Sequence, residues 1–204
     1  MQHNRAQLQQ LVSARFEKSI LGPQAFFESN VESISKASLE MASRFHKGGR
    51  ILTFGNGTSA TDANHVSVEF VHPAIVGKRA LPALSLCSDA AIFSSSVSEK
   101  NKANDLDFAT LLEILSQPDD MGLGFSPDGC CENVLSALKR AKQLKLLTIG
   151  FVGKGGGGMS EADLDYLFAV DENDPFVEQE ILETLYHILY ESIHVFLDNN
   201  ENLI

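Results

Sequence analysis

Two pairs of polar residues have the types and the spacing that catalysis or metal binding requires. His65 and Glu69 lie four residues apart, and Gln179 and His187 lie eight apart in the last segment of helical length. Residues four apart share one face of a helix, so an imidazole and a carboxylate there can meet one ion or one substrate. Residues eight apart are separated by about 80° around a helix axis and roughly 12 Å along it. A site that uses all four residues is therefore predicted to draw on two chains.

A glycine turn stands just before the first of these pairs. Residues Gly55–Ser59 follow a short apolar run and precede a segment of helical length. Free backbone N–H groups at the start of a helix favour an anion, which indicates a phosphate site. Each feature also has a plain structural interpretation, in which the turn is only a connection and His65 and Glu69 form a solvated pair. His187 likewise fits a polar helix stripe with Glu180, Glu183, Glu191 and His194.

Composition narrows the classes of function. The chain has 204 residues, 44% of them hydrophobic, which suits one globular domain with one core. Its 16 basic and 27 acidic residues give a formal charge of −11, and this acidic balance disfavours direct nucleic-acid binding. No apolar run has membrane-spanning length, and the polar N-terminus lacks the apolar region of a signal peptide. The three cysteines, two of them adjacent, imply no disulfide framework, so the cytoplasm is the expected compartment.

The segments that must position these residues change character along the chain. Residues 1–48 are predicted to form a helical arm, because apolar residues recur with a period near 3.6 and Gly48-Gly49 then ends the segment. Those residues are Phe27, Val31, Ile34, Met41 and Phe45. Residues 49–204 are predicted to form one folding unit in which short apolar runs alternate with segments of helical length. The five runs are 51–54, 81–86, 121–125, 146–150 and 166–170.

This alternation predicts the fold class. Strands alternating with helices are typical of a parallel sheet covered on both faces, so we expect a three-layer α/β/α sandwich with a five-stranded parallel sheet. The chain is predicted to close with a helix from about Pro175 to Leu197, since proline suits the first turn of a helix. The tract Gly153–Gly158 is expected to be a flexible surface turn.

Taken together, the motifs resemble a known family. From about residue 24 to residue 198 the chain resembles a sugar isomerase (SIS) domain of the phosphoheptose isomerase type, a flavodoxin-like fold. That family has a Gly-Asn-Gly-x-Ser turn, then a helix with Asp-Ala-x-His-x-x-x-Glu, and a last helix with Gln-Glu and a His eight residues after the Gln. The matching residues here are Gly55–Ser59, Asp62–Glu69, Gln179-Glu180 and His187.

The resemblance implies an activity and a site. His65, Glu69, Gln179 and His187 would line a site between subunits of a homotetramer, where some members hold zinc. Glu69 and His187 would be the acid/base pair that moves protons between C1 and C2 of an open-chain sugar phosphate such as sedoheptulose 7-phosphate. A metal there would polarise the carbonyl. The residues implied in substrate binding are Asn56, Gly57, Thr58, Ser59, Ser126, Asp128 and Gln179.

The chain departs from the family pattern in its second phosphate loop. Where the family reads Ser-Thr-Ser-Gly-Asn-Ser, the residues Ser126–Cys131 read Ser-Pro-Asp-Gly-Cys-Cys. Asp128 is expected to cap the next helix and to repel a phosphate, and Cys131 at that helix start is a candidate reactive thiol. The other departures are Pro73 for an Arg, Ser98-Glu99 for Asn-Asp and Phe176 for an Asp, with His72, Lys78 or Arg79 as candidate replacements for the Arg.

Two hypotheses of function follow. In the first, the protein is an aldose–ketose isomerase of the phosphoheptose isomerase type. In the second, it is a non-catalytic SIS module that binds a sugar phosphate or a protein partner, like the family's replication-initiation adaptor. That adaptor shares the Gly-Asn-Gly-Thr-Ser-Ala opening found here at Gly55–Ala60, but lacks the Glu and the last His. Because Glu69 and His187 are both present, the sequence favours the enzyme.

Overall fold

A parallel sheet forms the centre of the molecule. The computed structural model describes residues 2–88 and 107–199, and all statements of structure refer to these residues. Adjacent strands pair in parallel in the order β2-β1-β3-β4-β5, the order of a doubly wound flavodoxin-like sheet. The strands are β1 Ile51–Gly55, β2 Ala83–Ser85, β3 Met121–Ser126, β4 Leu147–Val152 and β5 Tyr166–Ala169. The predicted five-stranded parallel sheet is confirmed.

Helices cover both faces of this sheet. They are α1 Gln2–His46, α2 Thr58–Val71, α3 Phe108–Leu115, α4 Glu132–Gln143 and α5 Pro175–Asp198, with a 3₁₀ segment at Lys154–Glu161. Buried side chains of α1, α2 and α5 form one apolar cluster with the sheet, and those of α3 and α4 form a second cluster on the other face. This is the predicted three-layer sandwich. None of the helices in the described ranges combines the length and hydropathy needed to cross a bilayer.

The N-terminal arm is one helix of 45 residues. It ends where predicted, because Gly48 adopts φ +90° and the N–H of Gly49 donates to the carbonyl of Arg44 over 2.9 Å. Met41 is buried in the core as the apolar period predicts, whereas Val31 is 64% exposed. Val31 lies at the rim of a groove between α1 and α5, so this part of the apolar stripe is uncovered in a single chain.

The sheet order determines where the site forms. The carboxyl ends of parallel strands meet at one edge, and ligands bind where the strand order reverses. That point lies between β1 and β3, so the Gly55–Ser59 turn and the loop after Ser126 meet there. The helix α5 follows β5 and packs on the same face as α2, which brings the distant polar pairs together. The division into an arm 1–48 and a folding unit 49–204 stays a prediction.

Candidate active site

One carboxylate oxygen joins two imidazoles. The Oε1 atom of Glu69 lies 3.2 Å from His65 Nε2 and 3.1 Å from His187 Nε2. The two imidazole rings are 6.0 Å apart between centroids and steeply inclined at 76°. Both imidazoles are 44% exposed, while Glu69 is only 19% exposed. The arrangement is therefore a half-buried carboxylate with two accessible imidazoles above it.

The packing of two helices explains this convergence. The i, i+4 spacing places His65 and Glu69 on one face of α2, and α5 packs beside that face and contributes His187. The start of α5 is secured by Asp174, whose carboxylate accepts a hydrogen bond from the N–H of Phe176 over 3.1 Å. These three residues therefore converge within one chain. The expectation that a site using all four residues draws on two chains stays a prediction, since Gln179 contacts Asp62 instead.

The polar contacts between α2 and α5 repeat turn by turn. They are Gln179 Nε2 to Asp62 Oδ1 (3.3 Å), Glu183 Oε1 to His65 Nδ1 (3.9 Å) and His187 Nε2 to Glu69 Oε1 (3.1 Å). Residues three or four apart along a helix are separated by about one turn, so each contact lies about one turn beyond the last. Gln179 is therefore two turns away from His187 and contacts Asp62.

The second oxygen of Glu69 has no partner among the described residues. Its Oε2 atom is buried and accepts no hydrogen bond. A buried carboxylate oxygen without a donor is costly, and a proton or a cation would satisfy it. Two imidazoles and carboxylates within a few ångströms are also the ligand types that zinc prefers. Among the described residues, His65, Glu183 and His187 offer ligand atoms that all lie within 4.8 Å of one another. The residues present therefore fit a zinc ion.

Two further side chains surround His65. The hydroxyl of Tyr186 lies 3.2 Å from His65 Nδ1, on the side of the ring opposite Glu69. Burial, followed by the charges of Glu183, Asp62 and Glu69, raises the pKa of Tyr186, so its phenol stays neutral. The sequence hypotheses gave neither Tyr186 nor Glu183 a role. Glu183 was detectable, because it stands four residues before His187, the spacing that singled out His65 and Glu69.

Two cavities adjoin this cluster. One of about 480 Å³ is lined by His65, Val68, Glu183 and Tyr186, and another of about 220 Å³ is lined by Thr58, Ser59, Ser126 and Phe176. Asp62 and Gln179 line both cavities. Burial raises the pKa of Asp62, the hydrogen bond from Gln179 opposes this, and the charge of Glu183 adds to the rise. A ligand that fills both cavities would pass this pair.

Comparison with known proteins decides the family. A model of the SIS domain matches residues 16–153. A phosphoheptose isomerase of Desulfovibrio desulfuricans is 34% identical over 181 residues, which cover 87% of this chain and 83% of the relative. Another, from Synechocystis, is 38% identical over 165 residues, or 80% and 84% of the two chains. The chain belongs to the phosphoheptose isomerase family of SIS domain proteins. The structure of a phosphoheptose isomerase from Neisseria gonorrhoeae superimposes with a TM-score of 0.79 at 28% identity, covering 91% of this chain and 99% of that one.

The glycine turn of this family member has the form of an anion site. Gly57 precedes α2 with φ +56°, and Thr58 and Ser59 open the helix and line the smaller cavity. Asn56 has a different contact. Its amide pairs reciprocally with that of Asn133, with N–O distances of 2.6 and 3.0 Å. Asn56 therefore ties the turn to α4, and its predicted role in substrate binding is untested.

The second phosphate loop forms the expected turn but differs in detail. Ser126 Oγ accepts a hydrogen bond from the N–H of Gly129 over 3.0 Å, and Asp128 Oδ1 accepts one from the N–H of Cys130 over 3.0 Å. The residue that caps α4 is Cys131, and it has no side-chain cap hydrogen bond. The prediction that Asp128 caps this helix is wrong, because a local turn within the loop engages its carboxylate first. Ser126 and Pro127 line the smaller cavity, and Asp128 is not among its lining residues.

The glycine tract is a surface turn, as expected, with Lys154, Gly155 and Gly157 exposed, but part of its backbone packs closely against a neighbouring loop. A Cβ added at Gly157 would lie 2.0 Å from the carbonyl oxygen of Asp128, and one at Gly129 would lie 2.0 Å from that of Gly156. Gly129, Gly156 and Gly157 all have positive φ. The tract therefore presses its backbone directly against the second phosphate loop, and only glycine permits both the approach and the conformation.

A carboxylate that the sequence hypotheses missed lies beside this tract. Glu178 is buried, lines the smaller cavity, and fills the space where a Cβ of Gly153 would lie. Burial raises the pKa of Glu178, and the negative charge of Asp128 adds to the rise. The backbone hydrogen bond from Lys154 and the positive charge of the Lys154 side chain oppose it. Glu178 therefore places a carboxyl group at the cavity predicted for phosphate. No motif pointed to it, since its burial depends on a contact with a distant glycine.

The remaining departures from the family pattern are placed as follows. Phe176 is 68% exposed at the rim of the smaller cavity. Lys78, a candidate replacement for the missing Arg, pairs with Asp198 over 2.8 Å near the end of α5. Ser98-Glu99 lie outside the described residues. Cys87 exchanges hydrogen bonds with the backbone of Gly55, and burial raises the pKa of its thiol, as suits a small packing residue. The reactivity of Cys131 stays a prediction.

Proposed function

We propose that this protein is an aldose–ketose isomerase that acts on an open-chain sugar phosphate such as sedoheptulose 7-phosphate. The observation that carries the proposal is the contact between Glu69 and His187, 3.1 Å apart, near a helix start with the form of a phosphate site. Relatives named phosphoheptose isomerase, which the chain matches over 83% and 84% of their length, support it. The non-catalytic alternative is less well supported, because it gives no reason for a carboxylate and an imidazole to converge with one oxygen unpaired.

The chemistry assigns a role to each residue of the pair. Isomerisation removes a proton from one of the two carbons C1 and C2, returns it to the other, and transfers a proton between their oxygens. Glu69, with its unpaired Oε2, is proposed as the base that handles the carbon-bound proton. His187 is proposed to carry the proton between the oxygens. If zinc is bound, His65, Glu69, His187 and Gln179 are the predicted ligands, and the ion would polarise the carbonyl.

The phosphate is proposed to bind at the smaller cavity. The backbone N–H groups at the start of α2 and the hydroxyls of Thr58, Ser59 and Ser126 supply donors there. Gln179, shared between the two cavities, would contact the sugar hydroxyls between phosphate and carbonyl. The buried Glu178 makes this a less favourable anion site than one lined by hydroxyls alone. We therefore expect weak binding of the phosphate group.

The assembly is proposed to be a homotetramer. The first half of α1 exposes large apolar side chains that a single chain leaves uncovered; they include Leu8, Leu11, Val12, Phe16 and Ile20. A further apolar groove of about 340 Å³ lies between α1 and α5, lined by Phe27, Val31, Ile188 and Phe196. Contiguous apolar surface of this kind is typical of subunit interfaces. Light scattering that shows a monomer at micromolar concentration would refute the assembly. The cytoplasm is the proposed compartment, consistent with three unpaired cysteines.

Turnover is the decisive test. The protein would be incubated with sedoheptulose 7-phosphate and with five- and six-carbon sugar phosphates, with and without zinc, and the aldose product followed by NMR. Glu69→Gln and His187→Asn should each lower kcat by about 100-fold or more, as for loss of general acid–base catalysis. Glu191→Gln, an exposed change on the same helix, is the matched control. Binding without turnover would support the non-catalytic module, and absence of both would reject both hypotheses.

A further inference from the structure

The first half of the N-terminal arm packs against the start of α5, the segment that forms one wall of the smaller cavity. Gly22 of α1 lies so close to Val177 that an added Cβ would be 2.7 Å from Val177 Cγ1. One turn earlier in α1, Lys18 Nζ lies 3.6 Å from Asp174 Oδ2, and Asp174 is the N-cap of α5. The arm therefore meets α5 at its cap and first turn.

Arg15, which lies about one turn before Lys18, joins two residues of α5. Its Nη2 atom lies 2.7 Å from Glu180 Oε1 and its Nη1 atom 3.5 Å from Glu180 Oε2, so the guanidinium faces both carboxylate oxygens. The Nη1 atom also donates to Ser19 Oγ over 2.5 Å. The guanidinium carbon lies 6.0 Å from the centroid of the Phe176 ring, a distance that allows a cation–π contact. A planar guanidinium paired in this way fixes its partners in orientation as well as in distance.

Both partners of Arg15 adjoin the smaller cavity. Phe176 lines its rim and is 68% exposed, so most of its ring has no protein neighbour to restrain it. Glu180 directly follows Gln179, which lines both cavities. Loss of the guanidinium would leave the Phe176 ring free to turn away from the rim. It would also leave the start of α5 without its one bidentate contact to the arm among the described residues.

We propose that Arg15 is a positioning residue for substrate binding, which holds the start of α5 and the ring of Phe176 at the mouth of the smaller cavity. The inference rests on the proposed function, because this cavity is the proposed phosphate site. His187 lies two turns beyond Gln179 on α5, so the proton-transfer pair does not depend on the first turn of that helix. Arg15 therefore affects the affinity for substrate and not the chemical step.

Steady-state kinetics separate this role from a purely structural one. Arg15→Ala should raise the KM for sedoheptulose 7-phosphate by about three- to tenfold and leave kcat within about twofold of the parent. Arg15→Lys should be intermediate, because an ammonium keeps the charge but not the planar fork. Lys36→Ala, which removes an exposed ion pair with Glu32 within α1, is the matched control and should leave KM unchanged. The Tm of every variant should stay close to that of the parent, since exposed ion pairs contribute little to stability.

Two further measurements test the contact itself. Amide hydrogen exchange over residues 176–182 should be faster in Arg15→Ala than in the parent, while exchange over residues 190–197 of the same helix should not change. Phe176→Ala should also raise KM. The double variant Arg15→Ala/Phe176→Ala should raise KM by less than the product of the two single effects, because both substitutions act through one ring.

The other outcomes overturn the inference. If Arg15→Ala leaves either KM or the exchange of residues 176–182 at the parent value, Arg15 does not position the wall. If kcat and Tm fall together in Arg15→Ala, its role is in folding. If adding Glu180→Gln to Arg15→Ala returns KM to the parent value, the effect is one of charge and not of position. If the parent neither binds nor turns over any sugar phosphate, the proposed function fails, and the exchange measurement alone decides whether Arg15 holds the start of α5.

Discussion

The hydroxyl of Tyr186 is the group whose removal most directly tests how the site is oriented. It lies 3.2 Å from His65 Nδ1, and the two rings meet edge to face with centroids 5.6 Å apart. Tyr186 is 2% exposed, so Tyr186→Phe keeps the packed ring and removes only the hydrogen-bonding atom. The contact at Nδ1 determines which ring nitrogen of His65 carries the proton, and so whether Nε2, which faces Glu69, has a free electron pair. Tyr186→Phe removes that contact.

The size of the effect follows from that one contact. One hydrogen bond makes a net contribution of about 0.5–1.5 kcal/mol, and about 1.4 kcal/mol corresponds to a factor of ten in an equilibrium constant. Loss of a group that orients a metal-ligating imidazole costs roughly 10–100-fold in metal affinity or activity. The two ranges meet near tenfold. We therefore predict about a tenfold loss of zinc affinity and of kcat for Tyr186→Phe, with Tm lowered by only about 2–4 °C.

Tyr190 provides a matched control. It lies one turn further along α5, is 5% exposed, and its hydroxyl has no hydrogen-bond partner among the described residues. Tyr190→Phe should leave zinc affinity and kcat unchanged and should not lower Tm, because no bond is lost. Calorimetric titration and the isomerase assay on both variants make the comparison. If Tyr186→Phe stays within about twofold of the parent on both measures, or both variants lose equally, the orienting role is refuted.

Three other predictions concern the phosphate cavity and the sheet. Gly153→Ala should lower the free energy of unfolding in urea by about 1–3 kcal/mol, because the added Cβ would lie 2.0 Å from the Glu178 carboxylate. Adding Glu178→Ala to this variant should restore part of the lost stability. Asp128→Asn should change the KM for sedoheptulose 7-phosphate by less than about threefold, since Asp128 does not line the cavity, whereas Glu178→Gln should lower it severalfold. Burial raises the pKa of Asp165, but hydrogen bonds from Lys142 and from the backbone and hydroxyl of Thr148 together outweigh it, so the pKa lies below its usual value. The ionised Asp165 therefore stabilises the fold above the ordinary carboxyl pKa, and this stabilisation is lost as pH falls through the lowered pKa of the folded state. Asp165→Asn should accordingly make the free energy of unfolding depend less on pH below about pH 5, as measured by urea unfolding at several pH values.

The sequence was sufficient for the sheet and for one side of the site. Short apolar runs bounded by turn residues are the signature of strands buried on both faces, and every residue of β1, β3 and β4 is buried. The i, i+4 rule placed His65 beside Glu69 because both lie on one helix, where spacing determines distance. A local rule predicts a local contact.

The remainder depends on contacts between distant segments. Glu69 and His187 are 118 residues apart in the chain, and no periodicity shows that α2 and α5 lie side by side. The glycine tract has the composition of a flexible linker, yet its backbone packs against the second phosphate loop. The carboxylate of Asp128 could accept a hydrogen bond either from the backbone of its own turn or from the start of the next helix, and the sequence does not decide between the two. Each error arose where two segments compete or meet.

The row of polar contacts between α2 and α5 also determines how far the site extends along the two helices. Asp62 and Glu69 are seven residues apart, so the first and last polar contacts between these helices are separated by roughly 10 Å, and the glycine turn lies one turn beyond Asp62. Thr58 and Glu69 are eleven residues apart, or roughly 16 Å along α2, so a phosphate bound at the turn and a carbonyl held at Glu69 would lie at opposite ends of this row of contacts. The open chain of a sugar phosphate reaches further along such a row than its closed ring does. The middle contact, Glu183 with His65, adjoins the path between phosphate and carbonyl. The spacing of two helices therefore favours a long, open-chain substrate that meets the phosphate donors first and the proton-transfer pair at its far end.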